Sequence, residues 1–233
     1  PAVHFKTSPV TESLFAELET IYTWNYDTEK QDLYNLYEKA KKEQWNATTQ
    51  LAWETEVIPG EEYVPDINIP IYGTHLWNKL TPKEIRKLRV EQLAWTLSQF
   101  LHGEQGALLV TAQIVNSVPW LDGKLYGSTQ VVDEGRHVEV FKRYLTEKVR
   151  HQYPVNVHLK KLLDTILKDS RWDMKYLGMQ VLVEGLALAA FALIRDYTSE
   201  PLMKEMLANV MQDEARHVAF GVLSLRFAYE GMS

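Results

Sequence analysis

The chain has 233 residues, 45% of them hydrophobic, which is enough for one large core; its net charge of −6 and pI near 5.7 leave no electrostatic footprint for nucleic acid. Zero cysteines exclude a disulfide scaffold, a thiolate metal site and a rubredoxin-type iron module, and they fit a reducing, cytoplasmic compartment. The longest apolar run, Gly185 to Ile194, is about half the ~20 residues of a membrane span, and no basic-then-apolar leader opens the sequence, so no span is expected.

In chain order, the pattern predicts helices over Pro9 to Tyr22, with Thr11 as cap, and over Gln31 to Gln44, where Leu33, Leu36, Tyr37 and Ala40 form the apolar stripe. Trp45 and Trp53 bracket a polar stretch and read as packing anchors. From Glu54 to Leu80, Pro59, Pro65 and Pro70 with Gly60 and Gly73 forbid long helix, so an irregular cover, lid or plain wrapping, is expected there.

Thr81-Pro82-Lys83-Glu84 is a capping box that starts a helix running to about Gln113. Leu93, Leu97, Phe100, Leu101, Ala107, Leu108 and Val110 surround Glu104 on it at helical spacing, so this carboxylate belongs in a core and needs a cation. His102 lies on another face and reads as structural or surface. A third helix, Pro119 to Arg150, carries Glu134; equal arms about Pro119 bring Glu104 and Glu134 to one height, about 22 Å from the turn. Pro154 to Lys168 reads as a crossover helix, after which a second hairpin turns at Thr198 to Pro201 between Glu184 and Glu214. The whole, 1–233, reads as one domain, with 1–80 as helices and cover and 81–229 as the bundle.

The chemistry lies in a repeat. Asp133-Glu134-Gly135-Arg136-His137 and Asp213-Glu214-Ala215-Arg216-His217 stand 80 residues apart, as do Glu104 and Glu184. On a helix, Glu and a His three residues later share a face one turn apart and can converge on one metal ion. One Glu from each of two helices and one Glu-x-x-His from each of the other two is the ligand set of dinuclear iron or manganese bundles. Glu104, Glu134, His137, Glu184, Glu214 and His217 fill it without remainder. Four carboxylates balance two divalent ions, and the mixed oxygen and imidazole set suits iron first. Asp213 is expected to orient His137, and Asp133 to orient His217, with Arg136 and Arg216 beside them. The ligands' own faces predict a pocket of Phe100, Ala107, Leu108 and Thr111 on one side and Phe141, Leu188 and Phe191 on the other.

From about Leu80 to Tyr229 the sequence resembles the ferritin-like dinuclear carboxylate superfamily, and more closely the ligand-binding oxidases of its ribonucleotide reductase small-subunit-like branch. The resemblance rests on residues 133–145, on Val183-Glu184-Gly185 and on residues 213–221, with Tyr37 to Lys41 and Trp45-Asn46 as weaker pieces. It implies an all-α, ferritin-like four-helix bundle with additional N-terminal and crossover helices. It also implies two metal ions, Fe/Fe or Mn/Fe, dioxygen as co-substrate, an apolar small-molecule substrate, an electron donor and a homodimer. A ferroxidase or storage protein and a radical-generating subunit are the alternatives. Phe141 stands where reductase subunits hold a radical tyrosine, which lowers that reading. The valine–tyrosine crosslink of the oxidases falls near Ala107 and Met179 and is not expected. Arylamine N-oxygenases add a histidine where this chain has Val210, which weighs against N-oxygenation.

Overall fold

A computed structural model describes residues 11–58, 60 and 63–230, and among these there is no strand. Four long helical arms form the bundle. Thr81 opens the first, α2 (Pro82–Ser117): its hydroxyl accepts from Glu84 N while the Glu84 carboxylate accepts from Thr81 N at 2.8 Å, and Pro82 follows the cap. Pro119 forces the end, and α3 (Leu121–Tyr144) returns antiparallel against α2. One π-helical turn, Leu145–Val149, finishes it at Arg150 in the left-handed region with φ 58°.

The second pair begins with α5 (Trp172–Lys175), which passes through a π-helical stretch, Tyr176–Val183, into α6 (Glu184–Tyr197). Then α7 (Pro201–Tyr229) runs back along it, its first turn capped by Glu200, whose carboxylate accepts from Leu202 N and Met203 N, both at 2.7 Å. Gly221 on α7 is what lets the π stretch lie so close, since a Cβ there would sit 2.7 Å from Gln180 Cβ. The crossover α4 (Val157–Lys168) lies on α2, where Gly106 leaves room for Leu163. The short α1 (Gln31–Lys42) buries Leu33 and Ala40 against α3 and α7.

Residues 11–30 form no helix, against the expectation for Pro9 to Tyr22, whose first two residues lie outside the described residues. A lone short helix is marginal in water unless it buries a face, and here Phe15 is 86% exposed. The segment instead binds as an irregular strap across the α2–α3 turn. Ile21 N donates to Asn116 O at 3.0 Å, Thr23 Oγ1 to Pro119 O at 2.7 Å, and Glu29 N and Lys30 N both donate to Asp122 Oδ2.

Among the described residues of 54–80 the only helical turns are the short Asp66–Asn68 and Trp77–Lys79. By length and composition the rod Trp172–Tyr197 is apolar enough to cross a membrane, which a reading by uninterrupted runs did not register. In this fold it buries Tyr176, Met179, Gln180, Glu184, Phe191 and Ile194 in the bundle.

Candidate metal centre

The four arms bring Glu104 (α2), Glu134 and His137 (α3), Glu184 (start of α6), and Glu214 and His217 (α7) together, all 5% exposed or less. His137 Nδ1 lies 3.1 Å from Glu104 Oε2, 3.0 Å from Glu214 Oε1 and 3.7 Å from Glu134 Oε2. His217 Nδ1 lies 3.2 Å from Glu134, 3.5 Å from Glu214 and 4.0 Å from Glu184. Two groups with ligand atoms within 4.8 Å of one another result, Glu104–Glu134–His137–Glu214 and Glu134–Glu184–His217, sharing Glu134.

The donor set fits a cation pair. Glu134 Oε2, Glu184 Oε2, Glu214 Oε2 and His217 Nδ1 are buried without hydrogen-bond geometry to any partner, a costly state for groups of this polarity. Burial, then the Glu214 charge, push the Glu104 carboxyl up to about 8. Burial, then the charges of Glu134 and Glu214, hold Glu184 well above the carboxylate range. Glu134 is held low: burial works against this, and the positive charges of the adjoining His217 and His137 outweigh it. Burial disfavours the imidazolium forms of His137 and His217, but Glu104 on one and Glu134 on the other raise both. Four crowded carboxylates cannot all ionise without added positive charge, which divalent ions supply. This is a dinuclear carboxylate–histidine metal site.

Behind each imidazole stands the aspartate of the opposite motif: His137 Nε2 is 3.1 Å from Asp213 Oδ2 and His217 Nε2 is 3.3 Å from Asp133 Oδ2. With Nε2–H donating to the aspartate, Nδ1 presents its lone pair to the glutamates. The aspartates are knit by arginines. Arg136 donates to Asp133 and, at 2.9 Å, to Asp213; Arg216 donates to Asp213 and, at 2.7 Å, to Glu43. Burial opposes ionisation of Asp213, yet the His137 and Arg136 hydrogen bonds hold it well below the usual range.

Sequence reasoning missed the outermost part of this network. The end of α1 and the residues after it close it: Gln44 Nε2 donates to Asp133 at 2.9 Å, and Trp45 Nε1 to Asp213 at 2.7 Å, with the Arg136 guanidinium 4.7 Å from the Trp45 ring centroid. Trp45 therefore does more than pack. Gln130 was missed too; its Nε2 bridges Glu134 Oε1 at 2.9 Å and Glu184 Oε1 at 3.0 Å, and its place one turn before Glu134 was the available signal.

A cavity of about 370 Å³ opens between α2, α4 and the π–α6 rod and ends on Glu104, Glu184 and Glu214. Of the expected walls, Phe100 and Ala107 line it. Leu108, Thr111, Phe141, Leu188 and Phe191 do not, because the cavity leaves the metal site sideways toward α4 rather than along the bundle axis. Phe141 and Phe191 are fully buried and stack 5.6 Å apart behind Phe100. Thr111 accepts from Gln180 Nε2 at 3.4 Å. Leu108 and Leu188 are half-buried outside the lining. In their place Leu159 and Leu162 of α4 and Leu186, Ala187 and Ala190 of the rod supply the walls. No described residue of the 54–80 connection lines it, so that segment serves as wrapping, with Tyr63 and Ile69 buried. His102 is structural: its Nε2 lies 3.0 Å from Tyr153 O.

No curated protein matches the chain. Among solved structures, a variant of an R2-like ligand-binding oxidase with an anaerobically reconstituted Mn/Fe cofactor is 20% identical, with 86% of this chain and 74% of that chain covered and a TM-score of 0.64. Another variant, with an aerobically reconstituted Mn/Fe cofactor, is 21% identical, with 85% and 73% covered and a TM-score of 0.61. The likeness establishes the ferritin-like fold. A family model described as "P-aminobenzoate N-oxygenase AurF" matches residues 27–233, and Val210, at the position where a histidine would have favoured N-oxygenation, is fully buried in the core. By that match, which spans most of its length, the chain belongs to the AurF family of dinuclear-metal oxidoreductases that activate dioxygen.

Proposed function

We propose that this chain is an oxygenase that uses dioxygen to oxidise an apolar small molecule. The observation that carries the reading is the cavity, whose apolar walls end on three of the clustered carboxylates. Glu104, Glu134, His137 and Glu214 would hold one ion, and Glu134, Glu184, Glu214 and His217 the other. Iron in both positions is the first assignment. The Mn/Fe cofactors of the similar oxidases support manganese with iron as the second. Bound ions of this kind supply coordination positions and reducing equivalents for dioxygen.

The protein's own residues do the rest. Asp133 and Asp213 fix the imidazoles, and Gln130 Nε2 holds one oxygen each of Glu134 and Glu184, leaving their Oε2 atoms for metal. Phe100, with Phe141 and Phe191 behind it, keeps water from the inner wall. Phe141 also removes an oxidisable phenol from that position. Stopped-flow mixing of the reduced, metal-loaded protein with oxygenated buffer tests this. A transient absorbing species whose decay is hastened by an apolar substrate is expected. A stable tyrosyl radical, or deposition of many irons per chain, would overturn it.

A further inference from the structure

The cavity is one-sided in charge. Three carboxylates form its floor, and among the described residues no lysine, arginine or histidine lines any part of it. Its outer lip is Trp95, Leu162 and Leu186, exposed to 42, 45 and 73%. The remaining lining side chains with polar atoms are the neutral amides Gln99 and Asn156 and the indole of Trp95 at the lip. Gln99 is committed to the wall: its Nε2 donates to Pro154 O at 3.1 Å and its Oε1 accepts from Asn156 N at 2.7 Å. Asn156 Oδ1 accepts from His158 N at 2.8 Å, capping α4. Asn156 Nδ2 makes no hydrogen bond among the described residues, so beyond the Trp95 indole at the lip the cavity offers its occupant one neutral donor and, among the described residues, no cation.

A charged group taken from water without a partner is costly, and an anion here would meet apolar walls and no counter-charge, whereas a neutral oxygen loses little and finds a donor. Resting on the oxygenase reading above, we propose that the substrate of this chain is uncharged at the end remote from the metal site. It has an aliphatic or aromatic body and a far end that is bare or carries a single neutral acceptor, such as an ester, amide, ketone or ether oxygen, facing Asn156. An aminobenzoate held amine-first against the glutamates would turn its carboxylate toward the apolar walls and is disfavoured in that orientation.

The test is calorimetric titration of the metal-loaded protein with terephthalate and with its monoethyl ester. Both offer one carboxylate to the metal ions and differ at the far end by a charge and by an ethyl group, so the Leu162→Arg comparison, which leaves the ethyl group in place, isolates the charge. Because the lip is partly hydrated the discrimination is moderate: the monoester should bind at least tenfold more tightly. Leu162→Arg, which places a cation on the lip, should abolish or reverse that ratio. Terephthalate binding as tightly as the monoester to the unaltered protein, or no binding of either, overturns the inference. Dioxygen uptake is measured on the same preparation; its absence would overturn the oxygenase reading while leaving the charge preference to be judged by the titration alone.

Discussion

Replacing Asp213 by asparagine removes one charge and almost no volume from the layer behind the metal ligands. Its Oδ2 takes three donors, Trp45 Nε1 at 2.7 Å, Arg136 Nη2 at 2.9 Å and His137 Nε2 at 3.1 Å, while Oδ1 takes Arg216. Asparagine keeps one oxygen, and the better orientation leaves it on the three donors and turns the NH₂ against the Arg216 guanidinium. One charge-assisted hydrogen bond is then lost, at roughly 1.5–3 kcal/mol of stability. His137 keeps its tautomer but loses the charge behind it, and metal affinity should fall ~10- to 100-fold, the range for changes to the partners of metal ligands. Competition against a calibrated chelator gives the affinity, and urea unfolding of the metal-free protein gives the stability separately. Unchanged affinity with lowered stability would show that Asp213 merely braces the arginines, and would refute its role toward His137.

Glu134→Ala and His217→Ala should each lose bound metal while far-ultraviolet circular dichroism stays helical, since the packed clusters above and below the site remain intact; two metals retained per chain in either variant would contradict the ligand assignment. Stability of the metal-free protein should fall as pH rises from about 5 to 8. Glu104 and Glu184 have raised folded-state affinities for protons, as do both histidines, so in this window the native state binds more protons than the unfolded one and loses stability with pH. Saturating metal should remove that slope, and a metal-free melting temperature that is flat or rises over this window would refute the electrostatic account. Gly106→Ala would put a Cβ 2.6 and 2.9 Å from the two Leu163 methyls and should cost about 1–3 kcal/mol in urea unfolding, partly recovered by adding Leu163→Ala. A neutral Gly106→Ala would mean that α4 is free to shift.

The sequence made the inner site legible because the signal is local and repeated: Glu and His three apart on helices, doubled at one spacing, with turn residues midway between the partners. It also carried the starts of α2 and α7, where a capping box and Pro201 act within a single turn. What it hid depends on distant partners. Residues 11–22 have helix-compatible apolar spacing, but the segment is tied down through Ile21 N, Thr23 Oγ1, Glu29 N and Lys30 N to the α2–α3 turn, which no local pattern reveals. Gln44 and Trp45 meet Asp133 and Asp213 only because α1 docks across α3 and α7. The π stretch Tyr176–Val183 shifts the helical register within an apolar run that has no polar residue to mark the slip, apart from Gln180. The cavity walls were placed by the ligands' faces, and the α4 side chains Leu159 and Leu162 could be found only from the crossover's position.

Anomalous diffraction from crystals of the protein loaded with both iron and manganese, collected at both absorption edges, tests the central claim most directly. Two metal peaks per chain are expected, one among Glu104, Glu134, His137 and Glu214 and the other among Glu134, Glu184, Glu214 and His217, with the edges dividing iron from manganese at each. A single peak, or peaks lying away from these six side chains, would contradict a dinuclear centre and the oxygen chemistry built on it.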